Sequence, residues 1–569
     1  MENSALIAAP ASKTREKLLP SLRHSDAAWW QLLGIALTLA LQTDLLFTRA
    51  INWDEFFYYY QVYGFATGGA LSQPLQTLHV RLFGWILGVG NSAVDQIVAA
   101  RCVMLLCEAV TAAAITGIAA KFTDRATGLL CALSYLSAGF VFQHGFAFRV
   151  DPMAAACLMS ALWILCTARL DIARVALFGL LVAAGGLITI KVTLYAPVFA
   201  GLAWYRWNED ERSIASAMRL AAAAVLASLF FSALYVLHSQ GVSSVAQASI
   251  TGTGGASRKI LADSAQEMFS LGPQPYWQFI PSAVAKAVAL TVFIVLVPIA
   301  LIDSGRKAAE KIALVGMLMP LSTLVFYHNT APYYYAFMLP PVATACCISV
   351  TALRSRFDMR LLSIVFAINS LMVWATDGPS RIDNQRRIID AAHEIFPEPV
   401  GYFDFCYLLS DFPKMNGFMT LWGVDSYLAT GKLVYRDALM TRSVPLLVED
   451  DPMYSYLMRE GLNFHQFAPE DARTLRATYI HFWGPFWVAG QELRAGAAAR
   501  SAEMLVPGLY TARGGPISVD GRRIEDGAVV MLGRGIHRLA ALSGDAKLVW
   551  GNRLVRPRDK EPGEMWTFF

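Results

Sequence analysis

The stretch "WWQLLGIALTLALQTDLLF", residues 29–47, is an apolar run nearly long enough for one bilayer-spanning helix. The basic segment "SKTREKLLPSLRH", residues 12–24, precedes it, and more apolar runs follow. We therefore interpret residues 29–47 as a retained first span rather than a cleaved signal peptide. The 569-residue chain is 56% hydrophobic and 16% charged, and its mean hydropathy is +0.43. These values indicate a membrane protein, because a soluble chain of this size buries less apolar surface.

Ten further apolar runs predict a polytopic α-helical membrane protein of about eleven spans. Several of these runs are short or share a boundary with a neighbour. They lie at about 97–120, 127–143, 152–168, 174–190, 192–206, 215–238, 281–302, 311–327, 332–353 and 360–376.

The connecting segments give the orientation, because basic residues concentrate in cytoplasmic loops. Alternate loops carry most of the lysine and arginine of the predicted membrane domain: 121–125, 168–174, 205–219, 303–311 and 354–360. The N-terminus is therefore predicted to be cytoplasmic. Exterior loops at about 50–96 and 239–280, two short turns at 144–152 and 327–332, and everything after 376 then share the opposite face.

Charge and cysteine content exclude several classes of protein. The 47 basic and 43 acidic residues leave a net charge of only +4, which gives no reason to expect a nucleic-acid partner. Seven of the eight cysteines fall in predicted spans, at spacings that indicate neither a disulfide framework nor a zinc site. We expect buried, apolar-like cysteines.

Composition divides the chain into three parts. Residues 1–27 are predicted to be a cytoplasmic segment, 28–376 the transmembrane domain, and 377–569 an exterior domain. The exterior part begins with alternating helix-like and strand-like stretches, which predict an α/β unit. After about residue 503, β-branched runs separated by Gly and Asp-Gly predict a β-rich subdomain.

The first candidate catalytic residues are Asp54 and Glu55. They follow the first span, in the stretch "RAINWDEFFYYYQVYGFA", residues 49–66. This stretch and "LQTLHVRLFGWILGV", residues 75–89, are expected to form amphipathic helices along the interface. A solvated acidic turn in an aromatic belt would explain the same residues without any substrate.

A second exterior turn, "HGFAFRVDP", carries Arg149 and Asp151. Ionisable groups at the edge of the hydrocarbon are costly unless they are paired or solvated, so the two acidic loops suggest a shared polar cavity. Asp151 before Pro152 could equally be a helix N-cap.

Other polar and aromatic residues are predicted at the same exterior level: Lys191 between two apolar runs, and His328, Tyr333 and Tyr334 in "YHNTAPYYY". Lysine snorkelling and an interfacial tyrosine belt are the alternatives. Arg101 and Glu108 lie two helical turns apart on one face of the second span. Arg101 is predicted either to bind phosphate or to pair with Asp95 or headgroups, and Glu108 to pair with a polar side chain.

These motifs resemble, in order, those of GT-C glycosyltransferases, over roughly residues 28–376. The segments that carry the resemblance are "WDEFFY", "VAARCVMLLCEAVTAAAITGIAAKF", "FRVDPMA", "ITIKVTLYAP", "PYWQFIPSAVAKAVALTVFIVLVPIAL" and "YHNTAPYYYAFMLPP". The most similar branch contains protein O-mannosyltransferases and aminoarabinose lipid A transferases. Such enzymes take a sugar from a polyprenyl-phosphate carrier on the outer face of a bacterial inner membrane or in the endoplasmic reticulum lumen.

The resemblance implies that Asp54 is the catalytic base and Glu55 a supporting acid, and we assign Asp151 to the same acidic group. An acceptor hydroxyl needs a carboxylate to take its proton, and the departing lipid phosphate needs fixed positive charge. We therefore predict an inverting transfer to a lipid, polysaccharide or protein hydroxyl. Predicted donor-binding residues are Arg81, Arg149, Lys191, His328, Arg258 and Lys259, and predicted pocket aromatics are Tyr58, Tyr59, Tyr333 and Tyr334.

Three expectations complete the prediction. No metal is required, although Asp54, Glu55 and Asp151 offer oxygen ligands for Mg²⁺ or Mn²⁺. The loop "TGTGGASRKI", residues 251–260, is a flexible linker or a flap that closes over the donor phosphate. A transporter or lipid flippase, or a binding protein whose exterior domain does the work, is the alternative to an enzyme, and the protein is expected in a bacterial inner membrane.

Overall fold

The computed structural model describes residues 13–71, 73–243, 268–269, 272–417, 421–461 and 464–567. Up to residue 375 the described regular structure is almost entirely helical. Its α-helices are Lys13–Thr48, Trp53–Ala66, His79–Phe83, Ala93–Phe122, Arg125–Leu136, Gly139–His144, Val150–Thr167, Ile172–Ile188, Ala196–Glu209, Ile214–Ser239, Ile280–Ala285, Val288–Asp303, Ala308–Leu318, Thr323–Phe326, Tyr335–Ala345, Cys347–Leu353 and Met359–Ala375. Short 3₁₀ helices lie at Gly84–Gly88, Ile190–Tyr195, Trp277–Phe279, Met319–Ser322 and Pro332–Tyr334.

Fewer helices than the predicted eleven are long and apolar enough to cross a bilayer. In the described part of the chain there are 5, or up to 7 if each of two bent helix pairs counts as one span. The predicted runs at 174–190 and 360–376 form shorter apolar helices, and 127–143 is split into Arg125–Leu136 and Gly139–His144. The chain is a multi-pass membrane protein, but hydropathy alone overestimated how many of its runs form full-length helices.

The membrane helices pack around one large apolar core. The helix Ala93–Phe122 lies against Arg125–Leu136 and Val150–Thr167, and Ile172–Ile188 lies against Ile214–Ser239. The first helix packs on Met359–Ala375. Large apolar side chains nevertheless remain exposed along Ile214–Ser239 and Val288–Asp303, as expected of surfaces that face lipid.

The part after residue 377 is mixed α and β. Its described helices are Ile382–Ile395, Leu421–Thr430, Tyr435–Thr441, Pro452–Ser455 and Pro469–Thr478, with a π-helical turn at Tyr456–Glu460 and a 3₁₀ turn at Phe464–Gln466. The strands are β1 (Tyr402–Phe403), β2 (Leu446–Val448), β3 (Tyr479–Trp483), β4 (Phe486–Leu493), β5 (Arg500–Met504), β6 (Gly508–Arg513), β7 (Ile517–Val519), β8 (Arg522–Ile524), β9 (Val529–Leu532), β10 (Gly535–Ala541) and β11 (Ala546–Trp550).

The strands form two sheets. The larger has the order β1-β2-β4-β11-β6-β9 with β3 also paired to β4, and the smaller has the order β5-β10-β7-β8. All pairs are antiparallel except β1 with β2. The larger sheet therefore combines strands from both sides of residue 503, so the two predicted subdomains share one sheet. The domain limits proposed from composition remain a prediction.

We call the residues after 376 the exterior part, after the side of the membrane that the loop charges predict for them. This part is bonded directly to the segment that follows the first membrane helix. Gln385 is fully buried, and its side-chain amide exchanges two hydrogen bonds with the backbone of Ile51, at 2.8 and 2.7 Å. Arg49 forms an ion pair with Asp377, and Arg386 reaches Asp95 at 2.5 Å. These contacts fix the exterior part against the start of the helix Trp53–Ala66.

The Trp566 side chain packs against the helix Trp53–Ala66. Its ring lies edge-on to Trp53 and Phe56, with centroids 6.2 and 6.0 Å away. Its indole N–H donates to the carbonyl of Asp450, and Arg381 donates to the Trp566 carbonyl. The tryptophan thus joins the helix to the exterior sheet region.

We expect Trp566→Ala to loosen the helix Trp53–Ala66, because truncating a buried tryptophan typically removes about 3–5 kcal/mol of packing free energy. Amide hydrogen exchange in residues 53–66 should then accelerate by about a hundredfold. Mass spectrometry of the exchanged protein checks this, with β6 as an internal reference. Trp566→Phe retains most of the ring contact and should remain close to wild type; equal protection in wild type and Trp566→Ala would show that the ring does not hold the helix.

Candidate active site

Asp54 and Glu55 lie in the first turn of the helix Trp53–Ala66, which Asn52 caps. The Asn52 side chain accepts from the Asp54 backbone N–H at 3.0 Å, and Glu55 Oε1 accepts from the Asn52 backbone N–H at 2.9 Å. This reciprocal capping box suits acidic residues at a helix N-terminus, where the backbone N–H groups and the helix dipole favour negative charge. It leaves the Asp54 carboxylate free to point elsewhere.

Glu55 is buried and fully occupied. Arg101 donates to both of its carboxylate oxygens, at 2.6 and 2.8 Å, and the backbone N–H of Phe148 donates to Oε2 at 2.8 Å. Burial opposes ionisation of Glu55, but the Arg101 charge and these hydrogen bonds hold its pKa below the ordinary value. Glu55 therefore remains a carboxylate. Its hydrogen bonds hold the start of the helix Trp53–Ala66 and the turn at Phe148 in place.

Arg101 also closes the end of the first membrane helix. Its guanidinium donates to the backbone carbonyls of Leu46, Arg49 and Ala50, at 2.9–3.1 Å. The predicted alternatives for Arg101, phosphate binding or pairing with Asp95, do not match this geometry, since its hydrogen bonds go to Glu55 and to backbone carbonyls, while Asp95 pairs with Arg386. Glu108, deeper in the same helix, accepts from the Gln42 amide at 3.0 and 3.1 Å, as the expectation of a polar partner required.

Asp54 faces a buried chain of alternating charges. Its Oδ2 pairs with Arg149 Nη1, Arg149 Nε lies 3.4 Å from Asp151, and Lys191 Nζ lies 2.5 Å from Asp151. Arg149, Asp151 and Lys191 are at most 8% exposed, whereas the Asp54 side chain is 15% exposed. Asp54 is thus the end of the network that reaches solvent, and its Oδ1 accepts no hydrogen bond from the described residues.

The N-cap role predicted as an alternative for Asp151 is wrong. The helix Val150–Thr167 begins after Arg149, which occupies the N-cap position without a side-chain cap bond. Asp151 instead lies inside the first turn, where both of its oxygens face cations. The acid is held by Arg149 and Lys191 rather than by the backbone.

Aromatic rings form the wall of this charge network. The Tyr333 ring lies over the Arg149 guanidinium, 3.3 Å from its Cζ, and Tyr58 lies 5.8 Å away. Lys191 Nζ is 5.9 and 5.7 Å from the rings of Tyr333 and Tyr334. Cation–π contacts of this kind stabilise charge in a place with little water.

Two predicted aromatic and cationic residues lie elsewhere. The Tyr59 hydroxyl donates to Gln96 at 2.5 Å, so it ties the helix Trp53–Ala66 to Ala93–Phe122. Arg81 donates to the ring and the carbonyl of His238, at 2.8 and 3.2 Å. Neither is joined to the Asp54 network by a described contact.

The remaining predicted donor-binding residues are His328, Arg258 and Lys259. His328 donates its backbone N–H to the carbonyl of Met268 at 2.9 Å. Arg258 and Lys259, which carry the flap hypothesis, lie outside the described residues.

Tyr276 is a neighbour of the network that sequence reasoning missed. Burial raises the pKa of its hydroxyl, the negative charge of Asp54 raises it further, and Arg149 opposes that effect. Tyr276 therefore lies within electrostatic reach of both residues. The only signal was the aromatic-rich segment "PYWQF", residues 275–279, and nothing in it singled out Tyr276.

The predicted option of a cation held by Asp54, Glu55 and Asp151 does not fit the structure. Each of the three carboxylates faces an arginine or a lysine. Among the described residues, one group has metal-like spacing, namely Asp404, Cys406 and Asp450 in the exterior part.

The side chains of Asp404, Cys406 and Asp450 already form hydrogen bonds within the protein. Asp404 accepts from Lys414 at 2.5 Å and from the backbone N–H groups of Tyr407 and Leu408. Asp450 accepts from the Cys406 backbone and thiol, both at 3.1 Å, and burial beside Asp404 raises the pKa of Asp450 to about 8. The donor set is already used to fold the 404–408 turn, so it does not fit a metal without rearrangement.

This turn serves the neighbouring helix. Tyr407 adopts a left-handed backbone conformation with φ of 64°, and its ring stacks on Tyr60 with centroids 4.1 Å apart. Lys414 Nζ lies over the Tyr407 ring, 4.3 Å from its centroid. The buried acids therefore present an aromatic ring to the helix that carries Asp54.

Comparison with known proteins was made on both sequence and fold. Residues 79–236 match the family model described as dolichyl-phosphate-mannose-protein mannosyltransferase. No curated protein matches the chain significantly in sequence.

Two solved structures share the fold at low sequence identity. The crystal structure of ArnT from Cupriavidus metallidurans bound to undecaprenyl phosphate is 12% identical, with a TM-score of 0.51 over 76% of this chain and 95% of that one. The apo oligosaccharyltransferase from Archaeoglobus fulgidus is 10% identical, with a TM-score of 0.54 over 94% and 98%. A zinc and sulfate complex of the archaeal enzyme has a TM-score of 0.50 at 10% identity, over 81% of this chain and 73% of that one.

Proposed function

We propose that this chain is a GT-C glycosyltransferase that moves a sugar from a polyprenyl-phosphate carrier to a hydroxyl group, with Asp54 as the general base. The observation that carries the proposal is the Asp54–Arg149–Asp151–Lys191 network, whose only partly exposed acid has one oxygen without a described partner. The polyprenyl phosphate in the related ArnT structure supports the same class of donor.

The proposed step is a direct displacement. Asp54 Oδ1 accepts the proton of the acceptor hydroxyl while its oxygen attacks the anomeric carbon of the sugar. The bond from that carbon to the phosphate oxygen breaks, and the lipid phosphate leaves with the bonding electrons. Because one bond forms on the face opposite the breaking one, the anomeric configuration is inverted.

The network couples the two charge changes of this step. With Asp54 and Asp151 ionised and Arg149 and Lys191 protonated, the four side chains carry no net charge. When Asp54 takes the proton, the network gains one positive charge as the departing phosphate gains negative charge. Fixed cations beside a developing anion stabilise the transition state more than the ground state.

The other assignments rest on the same proposal. Tyr58, Tyr333, Tyr334 and Tyr276 line the site, and Glu55 with Arg101 positions the helix that carries Asp54. The acceptor is a lipid, polysaccharide or protein hydroxyl on the exterior face, and the membrane is a bacterial inner membrane with the N-terminus cytoplasmic. No metal takes part, consistent with carboxylates that are already matched by cations.

Substitution of Lys191 tests the cationic end. Lys191→Met should raise the KM for the donor about tenfold or more, because a charge-assisted hydrogen bond to phosphate contributes about 1.5–3 kcal/mol. Lys191→Arg keeps the charge and should retain most of the affinity. Arg81→Gln removes a cation outside the network, and steady-state kinetics should show an unchanged KM; an equal rise in both neutral variants would contradict the assignment.

Product analysis tests the function itself. The purified protein is incubated with candidate polyprenyl-phosphate sugars and membrane-derived acceptors, and mass spectrometry follows the products. The proposal expects one donor to yield free polyprenyl phosphate and a glycosylated acceptor in equal amounts. Movement of lipid across vesicles without any covalent product would instead identify a flippase.

A further inference from the structure

A large cleft in the exterior part is lined mainly by cations, and most of them have no carboxylate within ion-pair distance among the described residues. Its volume is about 1810 Å³, and it lies between the helix Pro469–Thr478, the ends of β4 and β6, the start of β5 and the segment around residue 556. Lysine and arginine contribute eight of its lining residues, and aspartate and glutamate contribute four.

All four acids already have partners. Arg436 binds Glu470 and Glu503, at 3.0 and 3.2 Å. Lys547 binds Glu492 at 2.6 Å, and Asp545 accepts from the backbone N–H of Ala495 at 2.8 Å.

The remaining six lining cations have no carboxylate within ion-pair distance among the residues the structure describes. They are Arg473, Arg476, Arg494, Arg500, Arg513 and Arg556. Gathering six guanidinium groups in one concave surface raises their mutual repulsion, and a cleft with walls of low dielectric strengthens the field. Such an arrangement is suited to a ligand that brings several negative charges.

Three of these arginines are oriented by neighbouring groups of the protein. The guanidinium groups of Arg513 and Arg556 lie 5.6 and 5.5 Å from the centroid of the same ring, Phe482. Burial and the neighbouring charge of Arg556 lower the pKa of Arg513. Arg500 is oriented by Gln491 Oε1 and the Glu492 carbonyl, at 2.8 and 3.0 Å. Pre-oriented guanidinium groups recognise carboxylate and phosphate by paired hydrogen bonds.

The lining favours a saccharide chain over a peptide. Protein partners are usually anchored by apolar and aromatic side chains in a desolvated pocket. Here the indole N–H of Trp487 donates to Glu449, the Tyr479 hydroxyl donates to the Val444 carbonyl, and both residues are buried. A flat membrane surface does not enter a concave cleft of this size.

We infer that the cleft binds an anionic saccharide chain, bearing phosphate or carboxylate groups, that is or carries the acceptor of the transfer. That the saccharide is or carries the acceptor rests on the proposed function. The binding of an anionic saccharide in the cleft does not depend on that function. The exterior part, which is bonded to the helix of Asp54 through Gln385 and Trp566, would then hold the polymer close to the catalytic loop.

Binding to the full-length protein in phosphatidylcholine nanodiscs tests this. The probes are fluorescent oligogalacturonate, a phosphorylated manno-oligosaccharide, the same manno-oligosaccharide without phosphate, and polyglutamate. At least one anionic saccharide should bind, the neutral one should not, and affinity should fall as salt is raised because screening weakens the attraction. Comparison of oligogalacturonate with the phosphorylated manno-oligosaccharide shows whether the cleft prefers carboxylate or phosphate groups. Tightest binding by polyglutamate, or equal binding of the neutral and anionic saccharides, would overturn the inference.

Paired variants locate the binding. Arg473→Gln with Arg476→Gln should weaken it about a hundredfold or more, since two charge-assisted hydrogen bonds are lost. Arg522→Gln with Arg558→Gln removes two exposed charges outside the cleft and should change affinity less than twofold; equal losses in both pairs would overturn the cleft assignment. Asp54→Asn should bind the saccharide normally while it loses transfer. If the wild-type protein binds the saccharide but transfers no sugar to any acceptor, the result counts against the proposed function and not against the cleft.

Discussion

Asp54→Asn should lower kcat for sugar transfer by about a thousandfold while changing donor affinity by less than about threefold. A positioned general base contributes roughly 10²–10⁴ in rate, and an amide cannot accept the acceptor proton. The amide nearly matches the carboxylate in size and can still accept a hydrogen bond from Arg149, so the pocket should keep its shape. Donor binding by the variant is measured separately from turnover.

Asp411→Asn supplies the matched control. Asp411 is an exterior carboxylate that pairs with His393 at 3.5 Å and lies outside the Asp54 network. Its substitution should leave kcat within about twofold of wild type, the range of ordinary surface changes. Transfer at the wild-type rate by Asp54→Asn, with the donor bound, would remove Asp54 from the role of base.

Arg101→Met should destabilise the protein by about 3–5 kcal/mol, because it leaves the buried Glu55 carboxylate without its counter-ion. It also removes the donors to three backbone carbonyls at the end of the first membrane helix. We expect a large loss of thermal stability in detergent and a low yield of folded protein. Glu55→Gln with Arg101→Met should recover part of the stability, since no unpaired charge then remains buried.

The contribution of the Glu55–Arg101 pair to thermal stability should depend on pH. The folded-state pKa of Glu55 is depressed, so its ionisation stabilises the fold above the ordinary carboxyl pKa. That contribution is complete at pH 7 and is lost as the pH falls through the depressed value. The difference in thermal stability between wild type and Glu55→Gln should therefore shrink on acidification below about pH 4; a constant difference down to strongly acid pH would show that Glu55 is not held by charge.

Much of the fold could be predicted from apolar runs and loop charges. The helices that carry the site, the acids after the first span and the polar turn at residues 149–151 follow from hydropathy and the positive-inside rule. The alternation of helices and short strands between Ile382–Ile395 and β3 also agrees with the α/β unit predicted for the start of the exterior part. These features depend on local sequence, which a single chain displays directly.

Partners distant in sequence could not be predicted in the same way. Hydropathy shows which face of a helix is buried but not which side chain it meets, so Arg101 was considered with Asp95 rather than with Glu55. Tyr276 and Trp566 reach the site region from a bent helix pair and from the end of the exterior part. Composition also does not reveal where an apolar run bends, so the two bent helix pairs could not be predicted.

The anomeric configuration of the product tests the central claim most directly. Wild-type protein is supplied with a polyprenyl-phosphate sugar of known configuration, labelled with ¹³C at the anomeric carbon, and NMR of the glycosylated acceptor reports the configuration of the new bond. A single displacement assisted by Asp54 predicts complete inversion, with one polyprenyl phosphate released for each sugar transferred. A product with retained configuration, or release of polyprenyl phosphate without a glycosylated acceptor, would contradict it.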